Sequence, residues 1–146
     1  MSPYIDDLES IPPGSLVIRR ISTQWVDWET LDDGGRPRVT KEAVQFYDQV
    51  RAEQAGCPAP ALSVIVEQRA DPIEDLIARY TGFGLARVSV DIIREGGACG
   101  IQLWPVDDEP AHAVVFRIDG GARPSDGTRK RIAKAMTEGW IHLPPR

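Results

Sequence analysis

His112 stands in Pro110-Ala111-His112-Ala113, where an acidic loop runs into a strongly apolar stretch. Histidine is the one side chain that changes charge near neutrality without help, and Asp107, Asp108 and Glu109 are close enough in sequence to orient it or raise its pKa. That combination would suit a general base. The same residue would serve equally well as a strand-opening histidine that hydrogen-bonds a backbone carbonyl, the usual arrangement for a buried polar group. Arginines form the second set. Arg19-Arg20 lie side by side in an apolar run, Arg36 follows Gly34-Gly35, and the planar guanidinium fork suits bidentate phosphate binding. Adjacent residues of a strand face opposite sides, so only one of Arg19 and Arg20 can enter a given pocket. The candidate catalytic residues are His112, Arg20 and Arg36.

Other chemistries are poorly supplied. Cys57 and Cys99 are the only cysteines, too few for a disulfide framework and without CxxC spacing, so both read as free thiols that pack as small apolar side chains. His112 and His142 lie far apart with no HxH, HxxxH or HExxH pattern, so no metal site is expected. Gly82, Gly84 and Gly96-Gly97-Ala98-Cys99-Gly100 lack the strand–loop–helix order of a phosphate cradle and read as turn residues. No cofactor is expected.

Binding surfaces are better supplied. Arg123, Arg129, Lys130, Arg131 and Lys134 concentrate positive charge on or before the last helix, while Asp6, Asp7, Glu9 and the Asp27 to Asp33 segment do the opposite. Such asymmetry favours docking to a charged partner, including self-association. A solvated face is the plainer alternative, since Ile132, Ala133, Ala135 and Met136 already give that helix a buried side. Tryptophan is enriched among binding hot spots, so Trp25 and Trp28 join Arg129, Arg131 and Lys134 as interface candidates, unless the two rings cover the core. The whole chain carries 17 Lys+Arg against 22 Asp+Glu, a net charge of -5, which argues against nucleic acid bound through bulk positive charge.

These residues need a scaffold, and 146 residues suffice to bury a core without metal or disulfide staples. Residues 1–15, with Pro3, Pro12 and Pro13, are expected as a loosely held arm ahead of one α+β domain over 16–146. No secretory leader is recognised, and the apolar runs are too short to cross a bilayer as a helix, so a cytoplasmic protein is expected. Strands are predicted at 16–21, 62–67, 85–90, 100–104 and 111–118, with a short strand or extended tail at 140–143. The 90–95 segment could equally turn helical. Helices are predicted from a Thr40 cap over 41–54, from an Asp71 cap with Pro72 at N1, and from a Ser125 cap to Glu138 with Gly139 as a left-handed C′ residue. The close spacing of the strands at 100–104 and 111–118 excludes a helical crossover. A single mixed or mainly antiparallel sheet with about three helices packed on it follows.

Two resemblances add expectations. The Arg19-Arg20 strand followed by Gly34-Gly35-Arg36 resembles the opening of NAD-consuming ADP-ribosyltransferase-like folds, which implies an arginine gripping the cofactor's phosphates and Glu67 as candidate for the catalytic glutamate. The wider layout, from Arg19-Arg20-Ile21, Trp25 and Leu62-Ser63-Val64 to Pro110-Ala111-His112-Ala113-Val114 and Trp140, resembles a scattered group of small uncharacterised bacterial proteins, some encoded beside defence or conflict genes. The function expected is an accessory domain that binds a protein partner, with a small enzyme acting on a nucleotide or NAD through His112 and an arginine-lined pocket as the alternative.

Overall fold

The computed structural model describes residues 2–46 and 56–146. Along the chain run β1 (Leu16–Ile21), β2 (Val26–Leu31), β3 (Pro37–Val39), β4 (Leu62–Val66), α1 (Ile73–Arg79), β5 (Gly84–Ser89), α2 (Val90–Arg94), β6 (Cys99–Leu103), β7 (His112–Arg117), α3 (Asp126–Glu138) and β8 (Trp140–His142). Six strands form one sheet in the order β6-β7-β4-β1-β5-β8, and β2 pairs with β3 in a separate hairpin. Every ladder is antiparallel. The architecture is α+β, with a mainly antiparallel sheet and three α-helices among the described residues. None of these helices is long and apolar enough to cross a membrane.

Alternation along the strands sends side chains to two faces. Val17, Ile21, Val64, Val66, Ala86, Val88, Ala113 and Val115 form the larger core with Val90 and Ile93 of α2 and Ile132, Ala133 and Met136 of α3. The opposite face carries two smaller clusters. Ile18, Ile65 and Leu85 meet Leu76 of α1, while Val114 and Phe116 meet Tyr4, Cys57 and Ala61.

α3 starts where its local signals put it, because the Ser125 hydroxyl accepts the Thr128 N–H at 3.2 Å and a 3–4-spaced stripe faces the sheet. Its end is different. Gly139 has φ -107° and ψ 19°, so it is not a left-handed cap; its carbonyl accepts the Arg87 N–H at 2.7 Å and brings α3 hard against β5. α1 also starts differently. Pro72 occupies the cap position with no side-chain cap bond, and the Asp71 carboxylate instead pairs with Arg79.

The stretch expected to lead into a helix is a hairpin. Asp32 Oδ1 accepts the N–H groups of Gly34 and Arg36 at 3.0 and 2.8 Å, which closes the turn between β2 and β3. Of the helix predicted over 41–54, the described part is a single 3-10 turn, Lys41–Ala43, and 47–54 lies outside the described residues. The ambiguous 90–95 segment is helical from Val90, capped by the Ser89 hydroxyl on the Asp91 N–H. The segment before Leu16, expected as a loose arm, buries Tyr4 and Ile11, and its Asp7 N–H donates to the Ile101 carbonyl of β6 at 2.8 Å.

Candidate functional site

Between the β2–β3 hairpin and α3 lies a groove of about 830 Å³. Lys130, Ala133, Lys134, Thr137 and Glu138 line it from the helix, a 3–4 spacing that gives one continuous helical stripe. Asp27, Leu31, Asp32, Asp33, Arg36 and Arg38 line it from the hairpin. Its floor is closed by Val39 and Thr137, both buried, with the Thr137 hydroxyl accepting the Val39 N–H at 2.9 Å and donating to the Ala133 carbonyl at 3.1 Å.

The charges in this groove divide into those spoken for and those that are not. Arg36 is held by Asp32 at 2.7 Å and donates to the Glu138 carbonyl at 2.9 Å; this contact keeps the Asp32 carboxyl below the usual carboxylate range. The Asp27 pKa is likewise lowered, by the Thr30 hydroxyl and the Glu29 N–H. Lys41 reaches Asp126 at 3.4 Å. Lys130 and Lys134 are exposed and make no hydrogen bond or ion pair among the described residues. Asp27 and Asp33 of the hairpin therefore share one groove with Lys130 and Lys134 of the helix, each wall also carrying the opposite sign at Arg36, Arg38 and Glu138.

The interface candidates separate accordingly. Lys134 lines the groove. Arg129 donates to the carbonyls of Val44 and Lys41 at 3.0 and 3.1 Å, and Arg131 to those of Ile92 and Glu95 at 3.3 and 3.1 Å, so both tie α3 to neighbouring segments. Trp25 and Trp28 are half-buried against the larger core. Arg19 stacks on the Trp25 ring at 5.1 Å and Arg146 on Trp28 at 5.2 Å. The two rings cover the core and form no flat exposed patch.

The catalytic candidates lie elsewhere. His112 is on the face opposite α3, buried, with Nδ1 at 2.7 Å from the Trp104 carbonyl and Nε2 at 2.9 Å from the Ser63 hydroxyl. A carbonyl can only accept, so Nδ1 carries the proton and Nε2 accepts from Ser63. Burial lowers the His112 pKa, and nearby Arg20 pushes the same way against the Trp104 carbonyl and Glu109. Glu109 and Asp108 of the acidic loop do push it up, as their sequence position suggested, but burial outweighs them; Glu109 itself is engaged by Arg79 at 2.6 Å and the Tyr80 hydroxyl at 2.7 Å. Arg20 shares this face, its guanidinium 4.7 Å from the Tyr80 ring and 5.4 Å from Phe83. Arg36 is on the α3 side, bonded to Glu138, so His112 and Arg36 do not share a pocket. Arg19 points to the α3 side too, where it donates to the Ala43 and Ser63 carbonyls. Glu67 is occupied by a bidentate contact from Arg87 at 3.0 Å to each oxygen.

Cys57 and Cys99 are buried, and burial pushes both thiols up, away from the reactive thiolate. Ser63, the buried hydrogen-bond partner of His112, is not marked by any motif. Its signal was a hydroxyl set between Leu62 and Val64 in an otherwise apolar strand, a position that demands a buried partner. No family model, curated protein or solved structure matches the chain.

Proposed function

We propose that the chain is an interaction domain that docks a protein partner in the groove between the β2–β3 hairpin and α3. The observation that carries this reading is the mixed charge of the two walls, Lys130 and Lys134 beside Glu138 on the helix and Asp27, Asp32 and Asp33 beside Arg36 and Arg38 on the hairpin. A polyanion such as nucleic acid would meet Asp27 and Asp33 on the hairpin and Glu138 on the helix, and a polycation the two unpaired lysines. A polypeptide segment carrying both signs satisfies both walls, and its apolar side chains can cover Leu31, which is 57% exposed. Charge complementarity of this kind sets register and rejects wrong partners. The sequence likeness to small bacterial proteins supports a cytoplasmic setting, and it is also what suggests a defence or conflict system.

The experiment is affinity capture from the native host with two baits, the wild-type chain and a Lys130→Glu/Lys134→Glu variant of matched melting temperature. The expected result is a protein enriched on the wild-type bait and lost from the variant. A second copy of the chain as occupant would show as concentration-dependent dimerisation in sedimentation, abolished by the same substitutions. A monomeric protein with no capture that depends on the two lysines overturns the reading.

A further inference from the structure

We propose, resting on the groove as a protein-docking site, that its occupant is the N-terminal turn of a second copy of this chain, Ile5 to Glu9, so that copies join head to tail.

The turn is held rigid from both ends. Tyr4 and Ile11 are buried, and between them the Asp7 N–H donates to the Ile101 carbonyl of β6 at 2.8 Å. The chain then doubles back on itself, with the Asp7 carbonyl accepting the Ile11 N–H at 2.9 Å and Asp7 Oδ1 accepting the Ser10 N–H at 3.0 Å. A turn shaped in advance loses little conformational freedom on docking. It also holds apolar side chains outward. Ile5 is 74% and Leu8 54% exposed, and Leu31 of the groove wall is the other large apolar side chain more than half exposed among the described residues. Two such groups on the turn and one in the groove can cover each other, as apolar anchors do at the centre of an interface.

Charge completes the match. Glu9 is exposed and makes no hydrogen bond or ion pair among the described residues, and Asp7 lies beside it. Lys130 and Lys134, one helical turn apart and equally unpaired, are their counterparts in the groove. The opposite sign is at hand too. Ser2 rests on the end of β7 through its N–H bond to the Ile118 carbonyl, and Arg123, exposed, adjoins that same strand end through its carbonyl, which accepts from Arg117. Arg123 suits Asp27 or Asp33. This end of the sheet thus presents both signs beside apolar side chains, the combination the groove calls for.

The contact is between copies. The turn is bonded to β6 at one edge of the sheet, whereas the groove is tied to β8 at the other edge, where Trp140 Nε1–H donates to the Pro37 carbonyl at 2.9 Å. From β6 to β8 the sheet spans about 24 Å, so a turn pinned to the first edge does not reach its own chain's groove. Turn and groove are different surfaces, and each copy offers one of each, which makes the interface heterologous.

One turn in one groove is a transient-sized interface, so association is followed up to about 1 mM. In sedimentation equilibrium the wild-type mass should rise above the monomer's with concentration, and amide chemical-shift changes over the same series should gather at 5–9 and 130–138. Ile5→Ser/Leu8→Ser, which alters exposed side chains, and Lys130→Glu/Lys134→Glu should each weaken self-association by about tenfold or more. Mixing the two variants should restore it as a one-to-one complex, because the first keeps its groove and the second its turn. A wild-type chain that stays monomeric at about 1 mM overturns the proposal, as do shift changes that gather elsewhere, or a mixture that fails to associate when both variants melt like the wild type. If the wild type is monomeric yet captures a foreign protein through Lys130 and Lys134, the groove reading stands and this inference alone falls. Because the shift series uses the wild type, it decides the matter even if a variant fails to fold.

Discussion

A Cβ placed on Gly139 would stand 2.0 Å from the Arg87 carbonyl oxygen and 3.0 Å from its carbon. Backbone cannot yield as a flexible side chain does, so glycine is required here by close approach of α3 to β5 and not by a left-handed conformation. Gly139→Ala is expected to destabilise the fold by about 3 kcal/mol, measured by urea unfolding. A loss below about 1 kcal/mol, no more than the ordinary overpacking minimum, would show that the α3 end is not pinned.

Arg129 and Arg131 are structural ties, whereas Lys134 is a free wall of the groove. Replacing Arg129 by Ala removes the guanidinium from the Val44 carbonyl and from the Lys41 carbonyl, which keeps the Val44 N–H at 2.9 Å, and should cost about 1–3 kcal/mol. Lys134→Ala should change stability by less than about 0.5 kcal/mol, as for a surface residue without partners. Thermal unfolding of the two variants side by side checks the contrast; equal losses would contradict it.

Asp6 anchors the N-terminal segment. Its Oδ1 accepts both the Arg94 Nε–H and the Ile101 N–H at 3.0 Å, and the two terminal nitrogens of Arg94 are buried without a hydrogen bond. Removing the carboxylate leaves a largely buried cation uncompensated, so Asp6→Ala should cost about 2–3 kcal/mol. Arg94→Met, which removes the charge and keeps the apolar stem, should cost less. Denaturant midpoints for both variants decide the order.

The lowered pKa of His112 carries a definite sign. The fold favours the neutral ring, so above about pH 6.5 neither folded nor unfolded chain holds the proton and the group adds no slope. Below that, the unfolded chain takes up a proton the fold refuses, and stability falls by up to about 1.4 kcal/mol per pH unit until the folded pKa is reached. Urea unfolding between pH 7.5 and about 5 should show this decline in the wild type and a flatter profile in His112→Asn.

Much of the scaffold was legible because its signals are local. The Ser125 cap and the Ile132, Ala133 and Met136 stripe specify α3 within a dozen residues, and the branched runs at Leu16, Leu62 and Ala113 specify strands. The hairpin was not legible, since its closure depends on Asp32 reaching round its own turn and on Arg36 meeting the Glu138 carbonyl more than a hundred residues along. Thr40 offered a plausible helix cap, but its N–H and hydroxyl both go to the Trp25 carbonyl, so the strand pairing claims it. The charge asymmetry was visible in the sequence; that Asp27 and Asp33 share one groove with Lys130 and Lys134 is a tertiary fact. Likewise His112 was visible, while its partner Ser63 lies on a neighbouring strand and meets it only through the β4–β7 register.

The most direct measurement of the groove's role is the Kd of the captured partner, determined by titration calorimetry against the wild-type chain and against Lys130→Glu/Lys134→Glu. Reversing the two unpaired cations should weaken binding by about tenfold or more, and wild-type affinity should fall as salt is raised. An unchanged Kd in a variant that melts like the wild type would contradict docking in the groove.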